Sequence, residues 1–278
     1  MTGWTKATIH DEIITICQTH LIHAWLERIH SAERGVGDHF GFEILQRGPA
    51  TAILAHRWPH NRTNVPFHRV FNYHALSSTD YDPLLTRFVN EQIDVIIEVL
   101  PDVGTHTETV LRAYGFTPAW TISWFHIATD DFSFKSLNHH EIKQVAPADL
   151  AQFAQLLIAG YGYTGDEAMA WRVFAEHGYA GPNFTCFVAQ HAGLSMAGGV
   201  VHLSATTALV DGAATFPQGR GLGLQKALLV ARIGFAKAHG AIHAFSRTGS
   251  GSISQANMQK IGMRVLVTST AWRRIVNK

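Results

Sequence analysis

The stretch that decides the fold is Thr215 to Leu229, with the sequence TFPQGRGLGLQKALL. The segment 208–216, which overlaps the start of this stretch, is short, apolar and bounded by turn residues, as in a buried strand. Further along, apolar residues recur at helical spacing, at Leu224, Leu228, Ala231 and Phe235. A glycine loop between a strand and a helix start leaves backbone N–H groups unpaired, and the helix dipole adds partial positive charge there. The sequence therefore predicts a cradle for a phosphate or pyrophosphate group.

Two common nucleotide-binding loops do not fit this stretch. A Walker loop ends in Lys followed by Ser or Thr, whereas Leu224 and Gln225 follow the last glycine, Gly223. The dinucleotide fingerprint requires a third glycine three residues after Gly223, where this sequence has Lys226, and no βαβ unit begins here. The pattern therefore excludes the ATP loop and disfavours the NAD loop.

The loop does resemble the acyl-coenzyme A loop of the GNAT acetyltransferases, whose pattern is Gln/Arg-x-x-Gly-x-Gly/Ala. Gln218, Gly221 and Gly223 satisfy this pattern in full, and a second register starts at Arg220 and has Gln225 in the last place. We prefer the second register, because a proline then lies three residues before the arginine and Lys-Ala-Leu-Leu follows the loop, as is usual in the family. The stretch also resembles a tandem-domain GNAT subgroup, in which Gln commonly takes the last place. An ordinary strand-to-helix turn is the alternative.

This resemblance implies acetyl-coenzyme A as co-substrate and no metal. Arg220 either adds positive charge or only braces the loop. The pantetheine arm pairs like an extra strand along the splayed edge of the cofactor strand, here Ala213, Ala214 and Thr215. The pyrophosphate is held by loop amides, here those of Gly221, Leu222, Gly223, Leu224 and Gln225.

Composition limits the class of protein. The chain has 278 residues, 46% hydrophobic and 15% charged, which predicts a folded protein of one large or, as we prefer, two ordinary domains. The net charge of +1, with dispersed Lys and Arg, predicts no nucleic-acid partner and no membrane surface patch. We expect a cytoplasmic location, because the sequence has no basic leader with an apolar run and no apolar stretch of about 20 residues. Cys17 and Cys186 fit reduced thiols better than a disulfide, and no sequence signal fixes an oligomeric state.

The 18 histidines raise the question of a metal site. His20, His23 and His30 can share a helix face, and His139 and His140 precede a strand. No cysteine partner and no His-Glu-x-x-His pattern accompanies them. We therefore expect solvated or hydrogen-bonded histidines rather than metal ligands.

The chain also shows a faint internal repeat. A helix, a Gly with a large apolar residue and a strand follow one another at 108–127 and again at 255–272, as at the end of GNAT domains. From residue 140 the order of predicted elements matches the GNAT fold throughout. We therefore expect an α/β (α+β) fold of tandem GNAT-like domains, with a mixed, mostly antiparallel sheet flanked by helices. The predicted domains are a degenerate GNAT-like domain at 1–130 and a GNAT acetyltransferase domain that binds acetyl-coenzyme A at 137–278.

The first half lacks a cofactor loop in its sequence. Where the loop would lie, after Tyr73, residues 74–80 contain no glycine. We therefore expect this half to support the active half and to wall one side of the acceptor cleft. Its predicted helices include 11–29 and one that starts at Pro83 with Asp82 as its cap.

Acyl transfer to an amine requires a neutral amine and a general base, which in GNAT enzymes is commonly a carboxylate acting through water. Asp211 is the only carboxylate on the cofactor strand, and strict alternation places it on the face of Leu209, Ala213 and Thr215. A turn or solvent role is the alternative for Asp211. His202 and His243, on the flanking strands, are alternative bases that also suit a satisfied structural role.

The acid that protonates the leaving thiolate departs from the family pattern. In GNAT enzymes it is commonly a Tyr four residues before the closing Gly, which places it at Met258 here. Ser252, Ser254 and Asn257 are substitute donors, although we favour a helix-capping role for the hydroxyls. The thiolate can also leave with the help of water.

Tyr161 and Tyr163 lie in the loop where the resemblance implies the acceptor site, with simple loop packing as the alternative. The leading hypothesis is an acetyl-coenzyme A dependent N-acyltransferase that acts by direct transfer to a small-molecule amine or an exposed amino group. The alternative is a non-catalytic coenzyme A-binding regulatory or partner-binding protein. A third hypothesis is aminoacyl transfer from a charged transfer RNA, against which the near-neutral charge argues.

Overall fold

The computed structural model describes residues 6–59, 67–73, 82–101, 104–133 and 140–274. The segment 74–80, which contains no glycine where a cofactor loop would lie, falls outside these residues, as does His139. The chain forms two compact units: unit 1 is Met1–Gly37 with Trp124–Leu266, and unit 2 is Asp38–Ser123 with Val267–Lys278. The predicted division into 1–130 and 137–278 stays a prediction.

The described residues form seven helices and eleven strands. The helices are α1 (Lys6–Val36), α2 (Pro83–Asn90), α3 (Gly104–Ala113), α4 (Leu150–Tyr161), α5 (Gly165–Gly178), α6 (Leu224–Ala238) and α7 (Ile253–Lys260). The strands are β1 (Phe42–Arg47), β2 (Ala50–Ala55), β3 (Arg69–Phe71), β4 (Val95–Val99), β5 (Thr117–Ala128), β6 (Glu141–Gln144), β7 (Phe184–His191), β8 (Leu194–Ser204), β9 (Thr207–Thr215), β10 (His243–Gly249) and β11 (Arg264–Arg274). None of these helices combines the length and apolar character needed to span a membrane.

In unit 1 the strands follow the order β10-β9-β8-β7-β6. The pairs from β6 to β9 are antiparallel, whereas β10 is parallel to β9. One core cluster contains Ala208 and Val210 of β9 together with Leu228 and Ile233 of α6. A second cluster contains Ala214 of β9 together with residues of α4 and α5. Two hydrophobic layers therefore enclose β9, the strand that leads into the glycine loop.

Unit 2 has the strand order β1-β2-β3-β4-β11 around a core that includes Phe88 and Trp272. The predicted start of α2 is confirmed: Asp82 is the N-cap, and its side chain accepts hydrogen bonds from the amides of Leu84 and Leu85. The Arg47 guanidinium and the Tyr73 hydroxyl also bond to this carboxylate. The cap therefore joins α2 to residues of two other segments.

The predicted mixed, mostly antiparallel α/β architecture is confirmed. The first helix is longer than the predicted 11–29, because α1 continues at both ends to span 31 residues. Its apolar face packs in unit 1, where Trp25 stacks on Phe174 of α5 at a ring distance of 6.2 Å.

Candidate functional site

The parallel pair β9–β10 separates just where the cofactor strand continues toward the loop. Its pairing covers three residue pairs and ends at Leu209 opposite Phe245. Beyond that point, β9 is paired on its other side only, with Ala214 opposite Gly198 and Thr215 opposite Ala197. The backbone edge of Ala213–Thr215 therefore faces a cleft, and an extended ligand with amide groups can add along such an edge.

The glycine loop presents a run of free amides at the start of α6. Gly221 and Gly223 have φ of 79° and 80°, values that favour glycine, and no side chain caps the helix at Gly223. Among the described residues, no hydrogen-bond acceptor is found for the amides of Gly221, Leu222, Gly223, Leu224 and Gln225. These are the five amides that the resemblance assigns to the pyrophosphate. Free amides at a helix N-terminus form an anion site.

The strand edge and the loop open into one pocket of about 580 Å³. This volume lies within the range of about 300–1,000 Å³ that is usual for small-molecule sites. The predicted residues that line it are Ala213, Ala214, Thr215, Arg220, Gly221, Gly223, Leu224, Gln225, Tyr161, Ser252, Ser254 and Asn257. Leu222, Tyr163 and Asp211 are not among its lining residues. Lys226 and Lys260 also line it and were missed by the sequence patterns; both add positive charge that suits a phosphorylated ligand.

Arg220 contacts the neighbouring helix. Its Nη2 lies 3.4 Å from the carbonyl oxygen of Gly160 in α4, a long hydrogen bond that favours the bracing role. Gly160 itself allows α4 to approach the cofactor strand closely. A Cβ at Gly160 would lie 2.8 Å from the Ala214 Cβ and 3.1 Å from the Thr215 amide nitrogen. The pocket wall therefore depends on a glycine that the loop pattern does not include.

Replacing Gly160 with Ala is expected to destabilise the protein by about 1–2 kcal/mol. Overpacking costs about 1–3 kcal/mol, and the better helix propensity of Ala returns up to about 1 kcal/mol. The matched control is Gly234→Ala in α6, where nothing lies within 4 Å of an added Cβ and a small gain in stability is expected. Urea unfolding of both variants measures the difference; equal stability of the two variants would contradict the close approach.

The last place of the loop pattern connects α6 with α7. The Gln225 side chain donates to the Ser254 hydroxyl at 3.0 Å and accepts from the Asn257 amide at 2.7 Å. Glycine or alanine, the usual residues at this place, could form neither bond. The glutamine therefore fixes two of the substitute donors beside the loop.

The third substitute donor serves as a helix cap. Ser252 is the N-cap of α7, and its Oγ accepts from the Gln255 amide at 3.1 Å, so the favoured capping role is confirmed for Ser252. Met258, in the place of the usual Tyr, is buried in the core of unit 1. These positions therefore do not identify the acid that would protonate the leaving thiolate.

The predicted face of Asp211 is wrong in part, because β9 contains a bulge. Gly212 has φ of 57°, and Gly212 and Ala213 together oppose the single residue Gly199 of β8. The bulge reverses the alternation, so that Asp211 shares a face with Leu209 but not with Ala213 and Thr215. An isolated Gly inside a strand pattern often marks such a bulge.

The bulge is held by a buried arginine. Arg232 of α6 donates from one nitrogen to the carbonyl oxygens of Val200 and Asp211, both at 2.9 Å. Burial lowers the pKa of Arg232 to about 10. A Cβ at Gly199 would meet this guanidinium at 2.6 Å, which accounts for glycine opposite the bulge.

Asp211 lines a second, smaller pocket, together with Leu209, Arg28 and Tyr179. Sequence reasoning missed Arg28 and Tyr179. Burial raises the pKa of Tyr179 to about 12, which keeps its hydroxyl protonated. The sequence spacing could have pointed to Arg28, because this charged residue lies on the apolar face of α1, four residues after Ala24 and three after Trp25.

Tyr161 and Tyr163 have different surroundings. Tyr161 ends α4 and lines the larger pocket; half of its surface is exposed, but desolvation of its hydroxyl, with Tyr179 and Asp211 near by, raises its pKa well above the usual value. Tyr163 stacks on Trp171 of α5 at 5.7 Å. The packing alternative thus describes Tyr163 better than Tyr161.

His202, one of the alternative bases, belongs to a buried hydrogen-bonded row. Its Nδ1 is 2.7 Å from His20 Nε2 and its Nε2 is 3.1 Å from Glu27, while His20 Nδ1 is 2.7 Å from the Thr207 hydroxyl. Burial lowers the pKa of His202, against the opposing effect of Glu27, and lowers that of His20 to about 3. Both nitrogens of His202 are therefore already engaged.

His243, the other alternative base, pairs with His126 at 3.0 Å. Burial, with a further contribution from His243, lowers the pKa of His126 to about 4. Across the described ranges, no three His, Cys, Asp or Glu side chains come together in a way that could hold a metal ion.

This chain is similar to known proteins in structure but not in sequence. No protein-family model matches the sequence, and no curated protein sequence matches it. A GCN5-related N-acetyltransferase from Kribbella flavida is 16% identical, with 89% of this chain and 95% of that chain covered and a TM-score of 0.54. One from Sphaerobacter thermophilus is 14% identical, with 84% and 83% covered and a TM-score of 0.56. The chain has the GNAT fold.

A tandem protein is also among the similar structures. A tandem GNAT protein from the clavulanic acid biosynthesis pathway is 10% identical, with 84% of this chain and 82% of that chain covered and a TM-score of 0.57. At these identities the likeness concerns the GNAT fold alone.

Proposed function

We propose that this protein is an N-acyltransferase that transfers an acyl group, most simply acetyl, from coenzyme A to an amine. The observation that carries the proposal is that four residues with unpartnered amides, Gly221, Gly223, Leu224 and Gln225, and an unpaired strand edge line one pocket. The amides of Gly221 to Gln225 suit a pyrophosphate, and the edge of Ala213 to Thr215 suits the amides of a pantetheine arm. Lys226 and Lys260 add charge for the phosphates.

The chain's own groups position the reactants. A bound thioester supplies an activated acyl carbon. Asp211 is proposed to accept a proton from the incoming ammonium, directly or through water, from the smaller pocket that it lines two residues before the strand edge. The rigid bulge held by Arg232 fixes where this carboxylate stands relative to the pocket.

The proposal includes a small-molecule amine or an exposed amino group as acceptor and a cytoplasmic location. Cys17 and Cys186 are free and buried, which fits a reducing compartment. No metal is needed, because direct transfer requires only attack of the amine on the thioester carbon, departure of the thiolate and proton transfers.

Calorimetry with acetyl-coenzyme A tests the cofactor assignment. Saturable binding is expected, with coenzyme A competing and free adenosine not competing at the same concentration. Absence of saturable binding would overturn the proposal and would favour aminoacyl transfer from a charged transfer RNA.

A second candidate function is a coenzyme A-binding regulatory or partner-binding protein without turnover. Met258 in the place of the usual Tyr, and the helix-capping role of Ser252, favour it. Thiol release measured with a broad amine panel separates the two functions: release that depends on the amine establishes the transferase, and tight binding without release establishes the alternative.

A further inference from the structure

The smaller pocket lies beside β9 within unit 1 and has a volume of about 20 Å³. This volume is a small fraction of the about 580 Å³ of the cofactor pocket, so only a small ligand enters it. Its lining carries two opposite charges, Arg28 of α1 and Asp211 of β9. A small ligand with charged groups suits this space, whereas a bulky acceptor does not.

Arg28 is held firmly but is short of hydrogen-bond acceptors. Its guanidinium carbon lies 4.1 Å from the ring centroid of Tyr179 and 4.3 Å from that of Phe174. Its Nε is buried without a hydrogen-bond partner, and among the described residues the guanidinium makes no ion pair. Stacking on aromatic faces leaves the in-plane donors of a guanidinium free, and their fork matches a carboxylate.

Asp211 is the complementary group on the other side of the pocket. Its carbonyl oxygen is used by Arg232, but its carboxylate accepts no hydrogen bond from any described residue. It forms no ion pair with Arg28, although both line the same pocket. Two opposite charges that share a pocket without meeting suit a ligand that carries both charges.

Two residues relate the smaller pocket to the cofactor pocket. Asp211 lies two residues before Ala213, the first residue of β9 that lines the larger pocket. Tyr161 lines the larger pocket and interacts electrostatically with Tyr179, Asp211 and Arg28. A ligand group at Asp211 therefore lies two residues along β9 from the strand edge that the pantetheine arm is proposed to follow.

We propose that the acceptor is a small amino acid-like molecule, whose carboxylate binds Arg28 while its amino group lies at Asp211. This inference rests on the proposed acyltransferase function. The amine, once it has lost a proton to Asp211 or water, forms an N–C bond to the acyl carbon, the C–S bond breaks with its electron pair going to sulfur, and the second nitrogen proton ends on the thiolate. The product is an N-acyl amino acid that has lost the positive charge of its amine.

Matched acids and amides provide the test. The probes are the protein amino acids, β-alanine and γ-aminobutyrate, each compared with its carboxamide. Thiol release with acetyl-coenzyme A gives kcat/KM for each pair, and calorimetry on the coenzyme A-bound full chain gives affinities that need no turnover. At least one acid is expected to exceed its amide at least 10-fold in both measurements. Arg28→Gln is expected to reduce this preference to less than about 2-fold, and Arg28→Lys to retain part of it.

The control is Arg172→Gln, which removes an arginine of α5 that pairs with Glu176 at the surface and should leave the preference unchanged. A purely structural role of Arg28 would lower the stability of the variants without changing the acid-to-amide ratio, and that result overturns the inference. Turnover of amines with no preference for acids also overturns it, while leaving the acyltransferase proposal intact. If no amine is turned over, binding of an acid that depends on Arg28 supports the inference, and absence of such binding overturns it. The proposed acyltransferase function is overturned separately, by failure of the protein to bind acetyl-coenzyme A.

Discussion

Gly223→Glu is expected to weaken acetyl-coenzyme A binding at least about 100-fold, equivalent to about 2.7 kcal/mol. Gly223 has φ of 80°, and a residue with a Cβ adopts this conformation at a cost of about 1–2 kcal/mol. The added carboxylate would also lie among the amides of Gly221 to Gln225, where it competes with the pyrophosphate and repels it. Calorimetry on the variant and the wild type measures the loss directly.

The matched control is Gly234→Glu on the same helix. Gly234 lies within α6 with nothing inside 4 Å of an added Cβ and no positive φ, so the same change of charge is accommodated there. Binding to this control is expected to stay within about 2-fold of wild type. Normal binding to Gly223→Glu would refute the loop assignment, and equal losses in both variants would point to overall charge rather than to the loop.

Local patterns in the sequence account for much of the fold around the site. The loop between β9 and α6 could be placed because its glycines are needed for positive φ, and α2 because Asp82 and Pro83 are a cap and a first helical residue. The β7–β8 hairpin also follows from local chemistry: Ala192 and Gly193 both have positive φ, as a type I′ turn requires. Such features depend on neighbouring residues alone.

The parts that sequence patterns could not supply depend on residues far apart in the chain. His20 and His202 are 182 positions apart, yet their ring nitrogens are 2.7 Å from each other. Arg28 reaches the pocket of Asp211 only because α1 packs in unit 1, which helical periodicity does not specify. The reversal of faces at Gly212 was in principle detectable, but strict alternation ignores bulges.

Acidification from pH 7.5 to pH 5 is expected to reduce the free energy of unfolding by about 4 kcal/mol through buried His20 and partly buried His126 alone. Burial lowers the pKa of His20 to about 3 and that of His126 to about 4, from an ordinary value of 6.5. The folded state therefore keeps both rings neutral at pH 5, whereas the unfolded chain protonates them. Their contribution is fully present above pH 6.5 and is lost progressively as the pH falls toward their folded pKa values. At pH 5, each ring accounts for about 2 kcal/mol, since one pKa unit corresponds to about 1.4 kcal/mol.

Urea unfolding between pH 8 and pH 5 tests this, with the slope of stability against pH as the readout. His126→Gln should lower the slope below pH 6 by about 1.4 kcal/mol per pH unit, because one titrating group is removed, whatever the variant does to stability at pH 7.5. The carboxylates with lowered pKa, Glu27 and Glu43, contribute only as the pH falls below 4.5, so they do not enter this window. A stability that does not change between pH 7.5 and pH 5, or a slope that His126→Gln leaves unaltered, would show that these rings are not held neutral by burial.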